Sequence, residues 1–433
     1  MRFLIYSLTL ALLAPATRWW LRRDARRRSL ADRFDPGFPE LPERPICLHA
    51  CSLGEVNAAR TLVEGLIQAY PHAPIMVTTS TCAGRARAEE LYGADRVAWF
   101  PFDTRRAVSR FLDRANPRIL LLFETELWPN VLSGCRARGI PAVLVNGRLS
   151  DRHERRYRWL AWWYRAMVRD LSAACMQTER HAERIMALGA PRERVHIAGN
   201  LKFDAVRTST EPRARHQLRA ACGMKPGAPV LVFGSTRPGD EALASACWAT
   251  LREECPELRL VVAPRHVNRA EEAIAPFSEP VIRRSAMRVG GRSRGERVIL
   301  LDTLGELSDF YAIASVAVIG GSFYPGVNGH NPLEPAALGV PVVFGPYMAN
   351  FADSAPVLVA RGGARQVACP EDLYLALSEL LGNAAERRQM GTRARRAVLE
   401  NQGATERTVA LLASWIYPGE RGRSSGHTPA AER

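Results

Sequence analysis

One pattern limits what this chain can fold into more than any other, and it occurs twice. Short runs of β-branched and apolar residues alternate with longer stretches of helical spacing, and the runs are apolar at nearly every position rather than at every second one. Strands of a parallel sheet covered by helices on both faces read in this way. The first set of runs lies at residues 45–50, 73–79, 118–123, 141–146 and 173–177, the second at 229–234, 258–264, 298–302, 316–320 and 341–345. Alternating strand and helix predicts an α/β doubly wound unit, and two sets predict two Rossmann-like units. A length of 433 residues with 47% hydrophobic content suffices for two cores. The polar piece Thr-Ser-Thr-Glu-Pro at 208–212 is the expected linker. The expected division is a membrane anchor with a basic collar at 1–35, a first Rossmann-like domain at 36–207, a second at 208–417 and a disordered tail at 418–433. Two such domains facing each other would leave a ligand cleft.

The N-terminus carries the localisation signal. Residues 3–16, FLIYSLTLALLAPA, are apolar, and Arg18, Trp19, Trp20, Arg22, Arg23, Arg26, Arg27 and Arg28 follow, against a single Arg2 before the run. That asymmetry holds the downstream chain on the cytoplasmic side and argues against export, although Ala14-Pro-Ala16 resembles a signal-peptidase site. The run is shorter than the roughly 20 residues of a comfortable span, so a shallow or tilted anchor competes with a full crossing. A second aromatic stretch, at 152–165, puts Trp159, Trp162 and Trp163 on one helix face among arginines. It suits acyl chains and phosphates as well as an ordinary packed face.

The net charge of +15 suggests anionic partners, yet only Lys202 and Lys225 among the 59 basic residues are lysines. A lysine kept against that bias offers a compact point charge, which singles out Lys202. Nine cysteines without a C-x-x-C pair, histidines without H-E-x-x-H and the lack of a D-x-D pair lead to the expectation of a reducing compartment and no catalytic metal.

Chemistry-bearing residues gather where the apolar runs end. Glu55 follows the first run, at a strand-to-helix turn, and reads either as a general base or as a first-turn glutamate facing the helix dipole. Glu124 and Glu126 follow another run. In the second half, GGSFYPGVNGHNPLEPAALG at 320–339 reads as strand, glycine loop and short helix. Asn331 stands at its N-cap, Pro332 at the first helical position and Glu334 where a capping-box partner belongs. Such loops at the carboxyl ends of parallel strands form anion sites, and a phosphate-bearing ligand fits there. A bare turn with a capping box remains the alternative.

In order along almost the whole chain, the stretches HACSLGEVNAA, TTSTCAG, FPFD, ETELWPN, NGRLS, GNLKFD, GSTRPGDE, APRH, LDTLGEL, GGS with NGHNPLEPAALGVPV, and GPYMANF resemble the 3-deoxy-D-manno-octulosonic acid (Kdo) transferases of lipopolysaccharide synthesis. The resemblance implies a two-domain GT-B fold, CMP-Kdo as donor, a lipid A precursor (lipid IVA) as acceptor and inversion at the anomeric carbon with neither metal nor other cofactor. It implies work at the cytoplasmic side of the inner membrane, with no nucleic-acid partner. Gly320, Gly321, Ser322, Asn331 and the helix start would then hold the donor phosphate, Ser235 and Thr236 would join the donor site, Arg265 would meet donor charge, and Glu334 would accept from the ribose hydroxyls. Glu55 would be the base, with Glu124 or Glu126 supporting it or positioning the acceptor. Ser52, Gly54, Asn146, Arg148 and Lys202 would bind the acceptor. One departure is visible, since Asn328-Gly329 stands where the family has a glycine pair before His-Asn. Two rivals remain: another GT-B enzyme using a UDP-sugar, and a non-enzymatic anionic-lipid binder, which would leave the acidic turns unexplained.

Overall fold

The structure is a computed structural model and describes residues 3–24, 27–37, 44–149, 160–288 and 296–417. The chain divides into two compact units, residues 1–205 with 402–433 and residues 206–401.

Unit 1 is built on seven strands, β1 (Ile46–His49), β2 (Ile75–Thr79), β3 (Val97–Trp99), β4 (Ile119–Phe123), β5 (Ala142–Gly147), β6 (Ala173–Met176) and β7 (Val195–Ile197). Their order is β3-β2-β1-β4-β5-β6-β7, parallel throughout, with Leu48 of β1 opposite both Val77 and Leu121. Successive strand residues face opposite sides, so Cys47, Leu120 and Leu144 join one core and Ile46, Leu48 and Leu121 the other. Helix α2 (Leu53–Ala69) follows β1, α3 (Cys82–Tyr92) follows β2, α4 (Arg105–Ala115) follows β3 and α5 (Pro129–Ala137) follows β4. The first three start on Ser52, Thr81 and Thr104, whose side-chain oxygens accept a first-turn amide.

Unit 2 repeats the plan with β8 (Val230–Thr236), β9 (Arg259–Pro264), β10 (Val281–Arg283), β11 (Val298–Leu300), β12 (Val316–Ile319), β13 (Val342–Phe344) and β14 (Ala364–Gln366), ordered β10-β11-β9-β8-β12-β13-β14. The order reverses direction between β1 and β4 in unit 1, and in unit 2 between β8 and β12 and again at the β10–β11 edge. Ligands of open parallel sheets bind at the carboxyl ends of the strands flanking such a reversal.

Two expectations need correction. The second domain does not extend to residue 417, because the helix Ala404–Ile416 belongs to unit 1: Leu412 and Ile416 are buried in its core, and Asp204 accepts from the amides of Gly403 (2.8 Å) and Thr405 (2.6 Å). The N-terminal segment, helix α1 (Leu4–Arg23), is also more than an appendage preceding the domain. Phe3 enters a unit 1 core, Tyr6 donates to Asp103 (2.9 Å) and the buried Ser7 donates to Asn130 (2.7 Å). Its other faces leave Ile5, Leu8, Leu12 and Trp19 exposed. Among the described residues no helix is long and apolar enough to cross a membrane.

Candidate active site

The reversal in unit 1 brings two acidic turns together. Ser52 caps α2, and Glu55, three residues on, turns back so that its Oε2 accepts from the Cys51 amide (2.8 Å) and its Oε1 from the Ser52 hydroxyl (3.1 Å). The capping role is therefore real, and it fixes the carboxylate at the mouth of the β1–β4 crevice. Burial pushes the Glu55 pKa up to about 7, with the nearby charges of Glu126 and Glu124 adding to the rise against the Cys51 hydrogen bond. A carboxylate so tuned exchanges a proton near neutrality.

Glu126, after β4, accepts from Trp128 Nε1 (2.8 Å) and lies 3.5 Å from His49 Nε2. Burial opposes its ionisation, but His49, Trp128 and the field of Arg33 outweigh that and hold its pKa below the ordinary value. His49 is itself fully buried and stacked on Phe100, and burial lowers its pKa. The imidazole is thus neutral at pH 7, and its contact with Glu126 is a long polar contact rather than an ion pair. Nδ1 lies 3.1 Å from the Thr78 carbonyl oxygen and 3.3 Å from Thr78 Oγ1, while Nε2 makes no hydrogen bond among the described residues.

Glu124 sits at φ +57°, a left-handed conformation that costs a glutamate free energy and aims its side chain away from the strand direction. Lys202 Nζ lies 3.8 Å and Arg148 Nε 4.0 Å from it. Asn146, also left-handed at φ +52°, accepts from the Leu201 amide (3.1 Å) and so ties the end of β5 to the turn that carries Lys202. Glu55, Glu124, Glu126, Ser52, Asn146, Arg148 and Lys202 thus gather at one sheet edge; Gly54, exposed in the first turn of α2, contributes backbone only. Cys51 Sγ and the carboxylates of Glu55 and Glu126 each offer an atom within 4.8 Å of the others, the one such trio among the described residues. Burial raises the Cys51 thiol to about 12, so a metal there would first have to displace its proton.

The β8–β12 reversal in unit 2 collects the second set. A side chain on Gly320 would meet the Ser235 carbonyl oxygen at 2.5 Å, so β8 and β12 approach this closely only because the residue is glycine. Ser235 lies at φ +57° and Gly321 at φ +67°, and the Gly321 amide donates to Asp240 (2.6 Å). Asn331 Oδ1 accepts from the Leu333 amide (3.1 Å), but the helix, Leu333–Ala337, is only five residues long and starts one residue later than expected, with Pro332 rather than Asn331 at its N-cap. Glu334 accepts from the Asn331 side-chain amide (3.1 Å) rather than from backbone, and burial raises its pKa. Two hydroxyls are engaged internally: Thr236 donates to Glu241 (2.8 Å), while Ser322, fully buried, donates to Ile319 O (2.6 Å) and accepts from the Gly345 amide (2.9 Å).

Beside them stands a cationic cluster that sequence reading largely missed. Arg237 donates to His330 Nε2 (3.2 Å) and lies 3.0 Å from His266 Nε2. Burial, then Arg265 and Arg269, lower the Arg237 pKa. Burial and the same positive surroundings hold His330 at about 4, so it stays neutral and accepts from Arg237. Arg269 is itself paired with Glu241 (3.1 Å) and Glu272 (2.9 Å), so Arg237 and Arg265 are the guanidiniums that would meet an anion there. Arg237 follows Thr236 directly in GSTRPGDE, but nothing in the sequence told which of its arginines turns inward.

The residues quoted from 152–165 separate. Trp163 packs edge-on against Phe3 and Tyr6, with ring centroids at 4.8 and 5.3 Å, whereas Trp162 is 67% exposed. Trp159 lies outside the described residues.

Two parallel α/β units, acidic at one reversal and cationic at the other, place the chain in the GT-B-like class. MurG of Acinetobacter baumannii superposes with a TM-score of 0.55 at 14% identity, covering 86% of this chain and 100% of that one. The Staphylococcus aureus MnaA–UDP structure gives 0.58 at 14%, covering 89% and 100%. At such identities the likeness speaks to fold alone. Sequence goes further: the model of the 3-deoxy-D-manno-octulosonic acid transferase family matches residues 24–205. A 3-deoxy-D-manno-octulosonic acid transferase of Bordetella pertussis is 34% identical over 95% of this chain and 99% of its own length, and one from Haemophilus influenzae is 33% identical over 90% and 92%. The chain belongs to this family of glycosyltransferases.

Proposed function

We propose that the protein transfers Kdo from CMP-Kdo to a lipid A precursor, lipid IVA, at the cytoplasmic face of the inner membrane, with inversion at the anomeric carbon. An acceptor hydroxyl attacks that carbon, its proton passes to Glu55, and the bond to CMP breaks with its electrons going to the departing phosphate. Glu126, held by Trp128, stays ionised beside Glu55 and keeps it basic. Lys202, Arg148 and Asn146 position the acceptor, with Glu124 turned toward them. In unit 2, Arg237 and Arg265 with the Gly320–Gly321 turn stabilise the CMP phosphate, and Glu334 accepts from the ribose. The observation that carries this reading is Glu55, half-ionised near neutral pH at the reversal point of its sheet.

The experiment is incubation of the protein with tetra-acylated lipid A precursor and CMP-Kdo generated in situ, followed by mass analysis of the lipid. A gain of one or more Kdo masses is expected. Transfer from a UDP-sugar instead, or competition by UDP but not CMP, would favour the rival glycosyltransferase.

A further inference from the structure

A groove of about 820 Å³ runs between α1 and the start of α4 in unit 1. One face of α1 forms its floor, with Leu4, Leu8, Ala11 and Pro15 at helical spacing followed by Arg18 and Trp19. Phe34 and the first turn of α4 form the opposite wall. Its volume is that of a ligand site, and its lining mixes apolar residues of α1 with arginines at both ends, Arg18 at one and Arg105, which also lies beside Phe3, at the other. Among the described residues no carboxylate lines it. Arg110 is balanced by Asp35 at 3.0 Å, but Arg18, Arg22, Arg105 and Arg106 have no acidic partner among the described residues, and Arg18 Nε is shielded from solvent without a hydrogen-bond acceptor. A shielded guanidinium N–H lacking an acceptor is costly, and an anionic oxygen would remove the cost.

The wall of the groove is tied to the strand ends that carry the acidic turns. Arg33, in the turn Arg28–Phe34 that carries Phe34, donates to Phe100 O (2.9 Å) and Ser80 O (3.3 Å), and its charge acts on Cys51 and Glu126. Asp103, two residues before α4, caps α5 through the amides of Asn130 (3.0 Å) and Val131 (2.9 Å). The wall of the groove and the strand ends bearing Glu55 and Glu126 are therefore one connected piece.

We propose that this groove seats the acylated, phosphorylated part of the acceptor, acyl methylenes along Leu4, Leu8 and Ala11 and its phosphates against Arg18 at one end and Arg105 and Arg106 on the opposite wall. The assignment rests on the function proposed above and names how that acceptor is recognised. α1 would then be a wall of the acceptor site as well as a lipid-facing helix.

Three proteins test it, the wild type, Ala11→Trp to fill the apolar end, and the double variant Arg105→Ala/Arg106→Ala. Each is assayed in detergent micelles with the tetra-acylated, bisphosphorylated glucosamine disaccharide and with the same disaccharide stripped of its acyl chains. Binding of the acylated lipid is followed in parallel through quenching of tryptophan by a brominated-acyl analogue. Ala11→Trp should raise the KM for the acylated acceptor roughly tenfold, equivalent to about 1.4 kcal/mol, and leave the stripped one unchanged. The arginine variant should raise both, with kcat and CMP affinity preserved. An unchanged KM for the acylated acceptor in both variants overturns the proposal. So does loss of binding to anionic phospholipid vesicles with acceptor KM intact, which would make the groove a seat for bilayer lipid. If the wild type transfers no Kdo to either acceptor, the functional reading fails, and bromine quenching lost in Ala11→Trp still reports on the groove.

Discussion

At the scale of the residue, the two readings of Glu55 that the sequence offered as alternatives are compatible. Its carboxylate closes the cap of α2, and the same hydrogen bonds fix its position, so capping would also position the proposed base. Its pKa of about 7 lies above the ordinary 4.5, and the sign follows: folding favours the neutral form, whose stabilisation is complete below about 4.5 and is lost as pH rises through 7. Turnover needs the ionised form, so it should climb with pH up to about 7 and then level off, and a rate independent of pH from 5 to 8 would contradict the assignment. Glu55→Gln, always neutral, should gain melting temperature relative to wild type between pH 5 and 8; a constant difference would mean the buried charge is not where the structure puts it. In unit 2, Glu334→Ala should weaken CMP binding by roughly 1 to 3 kcal/mol, the cost of leaving polar partners unmatched. Lower thermal stability with CMP affinity intact would reduce Glu334 to a helix cap. The sequence made the acidic residues legible because each follows an apolar run directly. Arg33, His49 and Arg237 were not legible as site residues, because side-chain direction depends on neighbours distant in the chain: His49 is packed into its strand as its surroundings suggest, yet its Nε2 faces Glu126.

At the scale of the element, the sequence showed the middle of each sheet and missed its margins. The strands outside the runs read from sequence are β3, β7, β10 and β14, and these four are the two edges of both sheets. Each has three residues, and β7, β10 and β14 are only partly buried, so they lack the long apolar run that marks a central strand. The helix Ala404–Ile416 was assigned to the wrong unit for a related reason, since a helical pattern tells that a face is buried but not against what. Leu412→Ala, at a fully buried position in unit 1, should cost about 2 to 5 kcal/mol. The loss should appear in the unfolding transition of unit 1 with CMP binding retained; lost CMP binding instead would place the helix with unit 2. Removing residues 1–23 should likewise lower the melting temperature of unit 1, because Asp103 and Asn130 lose the partners Tyr6 and Ser7. A deletion that releases the protein from membranes without that loss would restore α1 to a mere anchor.

At the scale of the whole molecule, the proposed function would divide a group transfer between two sheets of one plan, with proton removal at the β1–β4 reversal in unit 1 and leaving-group stabilisation at the β8–β12 reversal in unit 2. Residues 206–401 form a continuous segment with its own seven-stranded sheet, so that fragment should unfold cooperatively and bind CMP by itself. The most direct test of the account is single-turnover transfer by wild type and Glu55→Gln, with CMP-Kdo and the acylated acceptor at saturation and the lipid product weighed by mass spectrometry. The account expects Kdo-modified lipid from the wild type and a rate reduced roughly 100-fold or more in the variant, with CMP affinity unchanged. Transfer by Glu55→Gln at close to the wild-type rate would contradict it and move the proton to Glu124 or Glu126.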